Sequence, residues 1–175
     1  MGLVVASWNF LENVPLMKTS ALIVLQIAIV LVGVGAFSFL LWEPHIEGRN
    51  AHATLFEIYC NDAFLAYAYM ASIPFFVALF QAFKVVGYAR QNRVLSPAAI
   101  KALRAIQYCG ITIMGFVAAG KIFILVYGDK EDRPAGVFMG ILITIGAIVI
   151  ATMAAMCERI FKNAMEIKSR NAPTV

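Results

Sequence analysis

The residue types that do chemistry crowd into one stretch of this chain. Glu43, His45, Glu47, His52, Glu57, Cys60 and Asp62 follow one another closely. Imidazole, thiolate and carboxylate are the ligands of zinc, and carboxylates alone suit harder cations. A site built from local sequence needs its ligands paired on one helix face or turn, as in His-x-x-x-His, Glu-x-x-His or Cys-x-x-Cys. None of these spacings occurs here. The stretch therefore reads as a solvated acidic loop, and neither a metal nor another cofactor is expected.

A second kind of candidate is a polar group within an apolar run. Lys121 lies six residues before Tyr127, about 9 Å along a helix. Charges within a membrane span mark function by default, but a lysine stem this near an end can carry its ammonium out to the headgroups. Its other outcome is a pair with a carboxylate, for which Asp62 is the nearest by depth. Gln26 and Gln81 are amides that helices in lipid use to bond one another. Pro74 removes a backbone hydrogen bond in mid-helix and is the candidate kink. Catalysis in a membrane needs clustered His, Cys, Asp or Glu at depth. The apolar runs have no such cluster, so the chain is not expected to be an enzyme.

The elements that position these groups follow from composition. Of the 175 residues 62% are hydrophobic and 14% are charged, against about half and about a quarter in a soluble domain. The excess is gathered into four runs, 20–42, 64–86, 106–127 and 137–157. Each is apolar on every face and long enough for a hydrocarbon core of about 30 Å. The fold expected is an all-α, four-helix transmembrane bundle over 20–157. Segment 1–19 is a short cytoplasmic or interfacial lead, and 158–175 a cytoplasmic helical extension and tail. No cleavable signal peptide is expected, because the first run is too long for one.

Orientation follows from Lys and Arg. Arg90, Arg93, Lys101 and Arg104 lie between the second and third runs; Arg159, Lys162, Lys168 and Arg170 follow the fourth. The opposite side has only Arg49, Lys130 and Arg133. Both termini are thus expected in the cytoplasm of a bacterial inner membrane. The four loop cations are also candidate contacts for anionic lipid, in a loop too short to hold a nucleic-acid reader. In this frame Cys60 is outside and Cys109 and Cys157 are near the inner face, too far apart to pair with it.

Local punctuation sharpens the helix ends. Ser96-Pro97 reads as an N-cap followed by proline at the first helical position, which starts helix three in the cytoplasm. Asp132 and Pro134 give a similar start to helix four. Helix four is expected to run on past Cys157, with Glu158 and Lys162 as an i,i+4 pair. Ile160, Phe161, Ala164, Met165 and Ile167 would form its apolar face, and Pro173 its stop. Gly136 and Gly140, and Gly110, Gly115 and Gly120, are small residues that let helices approach closely.

Several stretches resemble one family. They are Ile73-Pro74-Phe75-Phe76 with Leu79-Phe80-Gln81-Ala82-Phe83-Lys84; Ser96, Ala102-Leu103, Ile106 and Tyr108-Cys109; Asp129 to Gly136; and Asn163-Ala164-Met165-Glu166-Ile167-Lys168-Ser169. Together they are similar to the bacterial membrane family catalogued as domain of unknown function 2975. The family's tails are more acidic, where this chain has Arg170, Ala172 and Pro173. The resemblance implies a four-helix membrane protein with no established activity, and a small helix-turn-helix transcription regulator as a partner by gene association. The function expected is regulatory or scaffolding, with a cytoplasmic partner and without direct nucleic-acid binding. The alternative is a small channel or transporter assembled as a homo-oligomer, which would need more polar lining than these spans supply.

Overall fold

A computed structural model describes residues 19–46, 63–127 and 133–170. All three stretches are helical apart from one short connection. The elements are α1 (Thr19–Ile46), α2 (Ala63–Arg90), α3 (Pro97–Tyr127) and α4 (Arg133–Arg170). Each is long and apolar enough to cross a membrane. The helices are longer than the apolar runs. Thus α1 continues through Glu43 and His45 to Ile46, two of the positions assigned above to a loop. The rest of that acidic stretch, from Glu47 to Asp62, lies outside the described residues.

Helix length follows from the medium. With no water to receive backbone hydrogen bonds, a helix that satisfies its own is the stable form in lipid. Propensity then matters little, and stretches rich in β-branched residues such as Ile141-Leu142-Ile143-Thr144-Ile145 stay helical. Pro74 is carried within α2. At 38 residues, α4 is about 57 Å long, well beyond a hydrocarbon core of about 30 Å.

The connection from α2 to α3 is fixed by two caps. Asn92 takes a left-handed conformation, φ 54°. Its amide bonds the Ala89 carbonyl at 3.1 Å and the Arg93 amide bonds that of Tyr88 at 2.8 Å. This is a Schellman ending with asparagine where glycine is more common. The next helix opens as its sequence predicts: Ser96 Oγ accepts from the Ala99 amide at 3.2 Å, with Pro97 in the first helical position.

Packing runs between chain neighbours: α1 on α2, α2 on α3, and most extensively α3 on α4. Each pair is antiparallel. The buried apolar residues concentrate at the end that holds the α2–α3 connection, hereafter the basic end. They include Leu22, Val86, Ala99, Ile100, Leu103 and Ile106. Leu103, Ile106 and Ala154 form a cluster covered by Ala82, Val85, Cys157 and Phe161. Elsewhere large apolar side chains point outward, among them Val24, Leu31, Phe39, Trp42, Phe138 and Met153. In lipid this outward face is the solvated one.

Small residues set the close approaches. A methyl on Gly110 would lie 2.9 Å from Ala151 Cβ and 3.3 Å from the Ala147 carbonyl oxygen, so α3 and α4 nearly touch there. Gly136 faces Ile124, and Gly120 faces Tyr67 of α2. Gly115 has open space, so only part of the glycine series on α3 serves packing.

Candidate functional site

Glu158 is the most enclosed charge among the described residues, with 6% of its surface exposed. It stands just past the fourth apolar run, where α4 meets the first turns of α3. Arg104 donates to its Oε1 from Nε at 3.1 Å and from Nη2 at 2.9 Å. Lys162, one turn on, donates to the same oxygen at 2.6 Å. Gln107 donates its amide to Oε2. The Lys162 hydrogen bond and those from Arg104 and Gln107 outweigh burial and hold the carboxyl at a pKa of about 2. Glu158 is therefore a carboxylate at any physiological pH. No buried side-chain nitrogen or oxygen among the described residues lacks a partner.

Each member is in place for a local reason. Glu158 and Lys162 are four apart on α4, with the acid nearer the N-terminus, the favourable order. Arg104 and Gln107 are three apart on α3 and reach α4 from one face. Phe161, one turn on from Cys157, packs against the apolar cluster of Leu103, Ile106 and Ala154. Arg104 and Lys162 are about half exposed, which leaves the three groups with a net positive charge at the surface. The cluster fixes α3 against α4 but presents no nucleophile, base or open coordination position.

A second polar contact joins α1 to α2 near the basic end. Gln26 is buried, 9% exposed. Its amide donates to the Phe83 carbonyl at 3.4 Å, and its carbonyl accepts from Arg90 Nη1 at 3.2 Å. Gln26 is thus an interhelical partner, whereas Gln81 is half-buried on α2. Of the four loop cations, Arg90 and Arg104 are drawn into these contacts, while Arg93 and Lys101 are exposed and pair with no described residue.

Towards the other end, Lys121 lays its stem along α4. A methyl on Gly140 would fall 2.6 Å from Lys121 Cε, so the glycine is the notch that accommodates the lysine. Asp62 lies outside the described residues, as do Asp129 and Asp132. Pro74 is half-buried on α2.

Two tyrosines on α2 add contacts that the sequence did not single out. Tyr67 donates to the Phe116 carbonyl of α3 and Tyr69 to the Leu40 carbonyl of α1 at 3.0 Å. Two residues apart on a helix, they point to opposite sides. Their signal was their depth: a phenol inside an apolar run needs an acceptor. Among the described residues no group of His, Cys, Asp and Glu is arranged to hold a metal, and Cys109 and Cys157 are free thiols.

Four apolar helices of spanning length, joined by sparse interhelical polar contacts, define a multi-pass helical membrane protein. The chain belongs to the family described as protein of unknown function (DUF2975), whose model matches residues 12–175. It is similar to the uncharacterized membrane protein YoaS of Bacillus subtilis (strain 168), 33% identical over 165 residues, covering 91% of this chain and all of that one. No solved structure matches it.

Proposed function

We propose that this chain is a non-enzymatic regulatory or scaffolding protein of the bacterial cytoplasmic membrane. Both termini, the basic loop and the end of α4 face the cytoplasm, where they engage a protein partner. The observation that carries this reading is the enclosure of Glu158. Its bonds to Arg104 and Gln107 tie the overhanging part of α4 to α3. A change of helix packing within the membrane would then move the projecting segment as one piece. A merely trailing tail would need no such tie. Arg93 and Lys101, exposed beside it, suit anionic headgroups at about 1 kcal/mol each near the surface.

The test is affinity capture of the full chain in mild detergent, compared with a chain ending after Met165. That end point keeps Glu158, Phe161 and Lys162. An earlier cut at Cys157 would leave the Arg104 guanidinium without its carboxylate and uncover Leu103. Capture of a cytoplasmic protein, with a small helix-turn-helix regulator the first to look for, that is lost with the shortened chain supports the proposal. Capture that is indifferent to the truncation moves the contact to the basic loop. Orientation has its own test. Cys60 is expected to react with an impermeant thiol reagent added to intact spheroplasts, and Cys157 to stay protected. Labelling of Cys157 from outside would reverse the topology.

A further inference from the structure

The face of α4 turned away from α3 repeats every seven residues. On the bundle side, Gly140, Ala147, Ala154 and Phe161 are each seven apart, with Glu158 beside them. About 150° round the helix, at 100° per residue, runs another series: Met139, Leu142, Gly146, Val149, Met153, Met156, Ile160, Asn163 and Ile167. Its steps alternate three and four, the a/d spacing of a coiled coil. Every large apolar member is exposed, a methyl on Gly146 would meet nothing, and Asn163 is exposed as well.

Within the hydrocarbon such a stripe needs no explanation, because every outward face there is apolar. Its meaning comes from where it continues. Past Cys157 the helix surface turns polar, with Arg159, Asn163, Glu166, Lys168 and Arg170 all exposed. Ile160 and Ile167 nevertheless stay in register and are 60% and 57% exposed. Phe161, Ala164 and Met165 turn at least partly inward, so the two isoleucines are the outward remainder. Ile160 and Ile167 stand three and ten residues past the fourth apolar run, about 4.5 and 15 Å along the helix, so Ile167 lies clear of about 30 Å of hydrocarbon and its headgroup layer.

We propose that α4 is a parallel, two-stranded coiled-coil seam by which two copies of this chain associate, zipped at its overhanging end by Ile160 and Ile167. The occupant is a second copy for three reasons. A seven-residue period is what keeps one stripe facing a like helix over several turns, since 3.5 residues per turn arises when two helices wrap each other. Copies inserted in the same direction can be related by an axis along the membrane normal, and that axis sets α4 parallel to itself and in register. In that register Asn163 meets its own counterpart, where a side-chain amide can both donate and accept, and Ile160 and Ile167 take the a positions, where β-branched residues favour two parallel strands. Charge does not oppose it, because Arg159 on one flank would face the partner's Ala164 rather than a like charge. This association stands apart from the cytoplasmic partner proposed above and does not require it.

Oxidative cross-linking in native membranes tests it. Single cysteines are placed at Met156, Arg159, Ile160, Lys162, Asn163, Glu166 and Ile167 of the full chain with Cys60, Cys109 and Cys157 replaced by alanine. Dimers are expected at 156, 160, 163 and 167, several-fold stronger than at 159, 162 and 166. A flat profile, which random collision gives, overturns the proposal. So does cross-linking at 160 and 167 to a different protein. The second measurement is native mass spectrometry of the unmodified chain in mild detergent. A dimer is expected, converted to monomer by Ile160→Asp with Ile167→Asp. Both positions face outward, so the melting of the monomer is expected to be retained. A monomer before substitution, or a dimer unmoved by it, would also overturn the seam.

Discussion

The two ends of the α3–α4 hairpin solve the same problem differently. Each brings a charged side chain to the seam between the helices. At the basic end Glu158 is enclosed and satisfied by three side chains, at the same end as the apolar cluster of Leu103, Ile106 and Ala154. At the other end Lys121 is half-buried, its stem in the notch of Gly140, and among the described residues no carboxylate meets it. A carboxylate on a short stem has to be met where it stands. A lysine can carry its charge away on a long one. The first arrangement specifies a geometry; the second accommodates a residue. The basic end is therefore the place where substitution should disturb the fold most.

The largest effect is expected in the apolar cluster of the basic end. Leu103→Ala removes a side chain only 5% exposed from beneath Phe161 and is expected to cost about 2–4 kcal/mol. Ile122→Ala, at a residue 65% exposed on the same helix, is expected to cost well under 1 kcal/mol, since lipid replaces what is lost. Denaturation in detergent measures both. Equal losses would erase the distinction between the ends.

Glu158→Gln comes next. It keeps the shape but leaves Arg104 and Lys162 facing a neutral amide. Because both cations are about half exposed, the loss is expected near 2 kcal/mol rather than the 3–5 of a fully buried pair. The same residue sets a pH dependence. Its pKa is about 2 when folded, below the ordinary 4.5. In that window the unfolded chain binds more protons, so stability rises with pH. The contribution is complete above about 4.5 and is lost as pH falls from there towards 2. Melting profiles across that range should converge for wild type and Glu158→Gln at the acid end. Parallel profiles would mean that Glu158 is not held as described.

Backbone approach is the third distinction. Gly110→Ala places a methyl against Ala151 and the Ala147 carbonyl. Neither can swing aside, and overpacking of this kind costs about 1–3 kcal/mol. Gly115→Ala, five residues on in open space, is expected to be neutral or slightly stabilising through helix propensity. If the two variants melt alike, α3 and α4 are not in contact at Gly110.

Much of this was legible in the sequence, and the remainder was hidden for identifiable reasons. The four spans were plain because hydropathy sums over some twenty residues. The start of α3 was plain because Ser96-Pro97 is local chemistry, as was the pairing of Glu158 with Lys162 at four residues' spacing. The Arg104–Glu158 contact was not, because it joins residues 54 apart and depends on the register of two uniformly apolar helices. Arg90, Arg93, Lys101 and Arg104 are alike as sequence; only the fold divides them into two that bind within the protein and two that face outward. The apolar face read for the α4 extension was too wide for one surface. Residues 160, 161, 164, 165 and 167 span about 160° of arc. The structure gives its Phe161 side to α3 and its Ile160 and Ile167 side to the exterior.

The smallest expected effect is at Lys121, and it tests the contrast from its weaker side. Lys121→Met keeps an unbranched stem of similar length in the Gly140 notch and removes only the ammonium. If that group reaches the headgroups, the loss is expected to be a few tenths of a kcal/mol, the scale of an exposed charge. Gly140→Ala is expected to cost somewhat more. Its methyl would meet Cε and Cγ of the lysine, and Val117 as well, and the flexible stem can yield where the Gly110 neighbours cannot. Asp62 is the carboxylate that would make this end resemble the other. Were Lys121 paired with it, Lys121→Met and Asp62→Asn would each be costly and the double variant much less so, because the penalty of one unpaired buried charge is then removed. Near-neutral melting of Lys121→Met, with additive behaviour in the double variant, supports accommodation by shape. A deep loss in either single variant, restored in the double, would give the bundle a second specified charge and make the Lys121 end as much a candidate site as the Glu158 end.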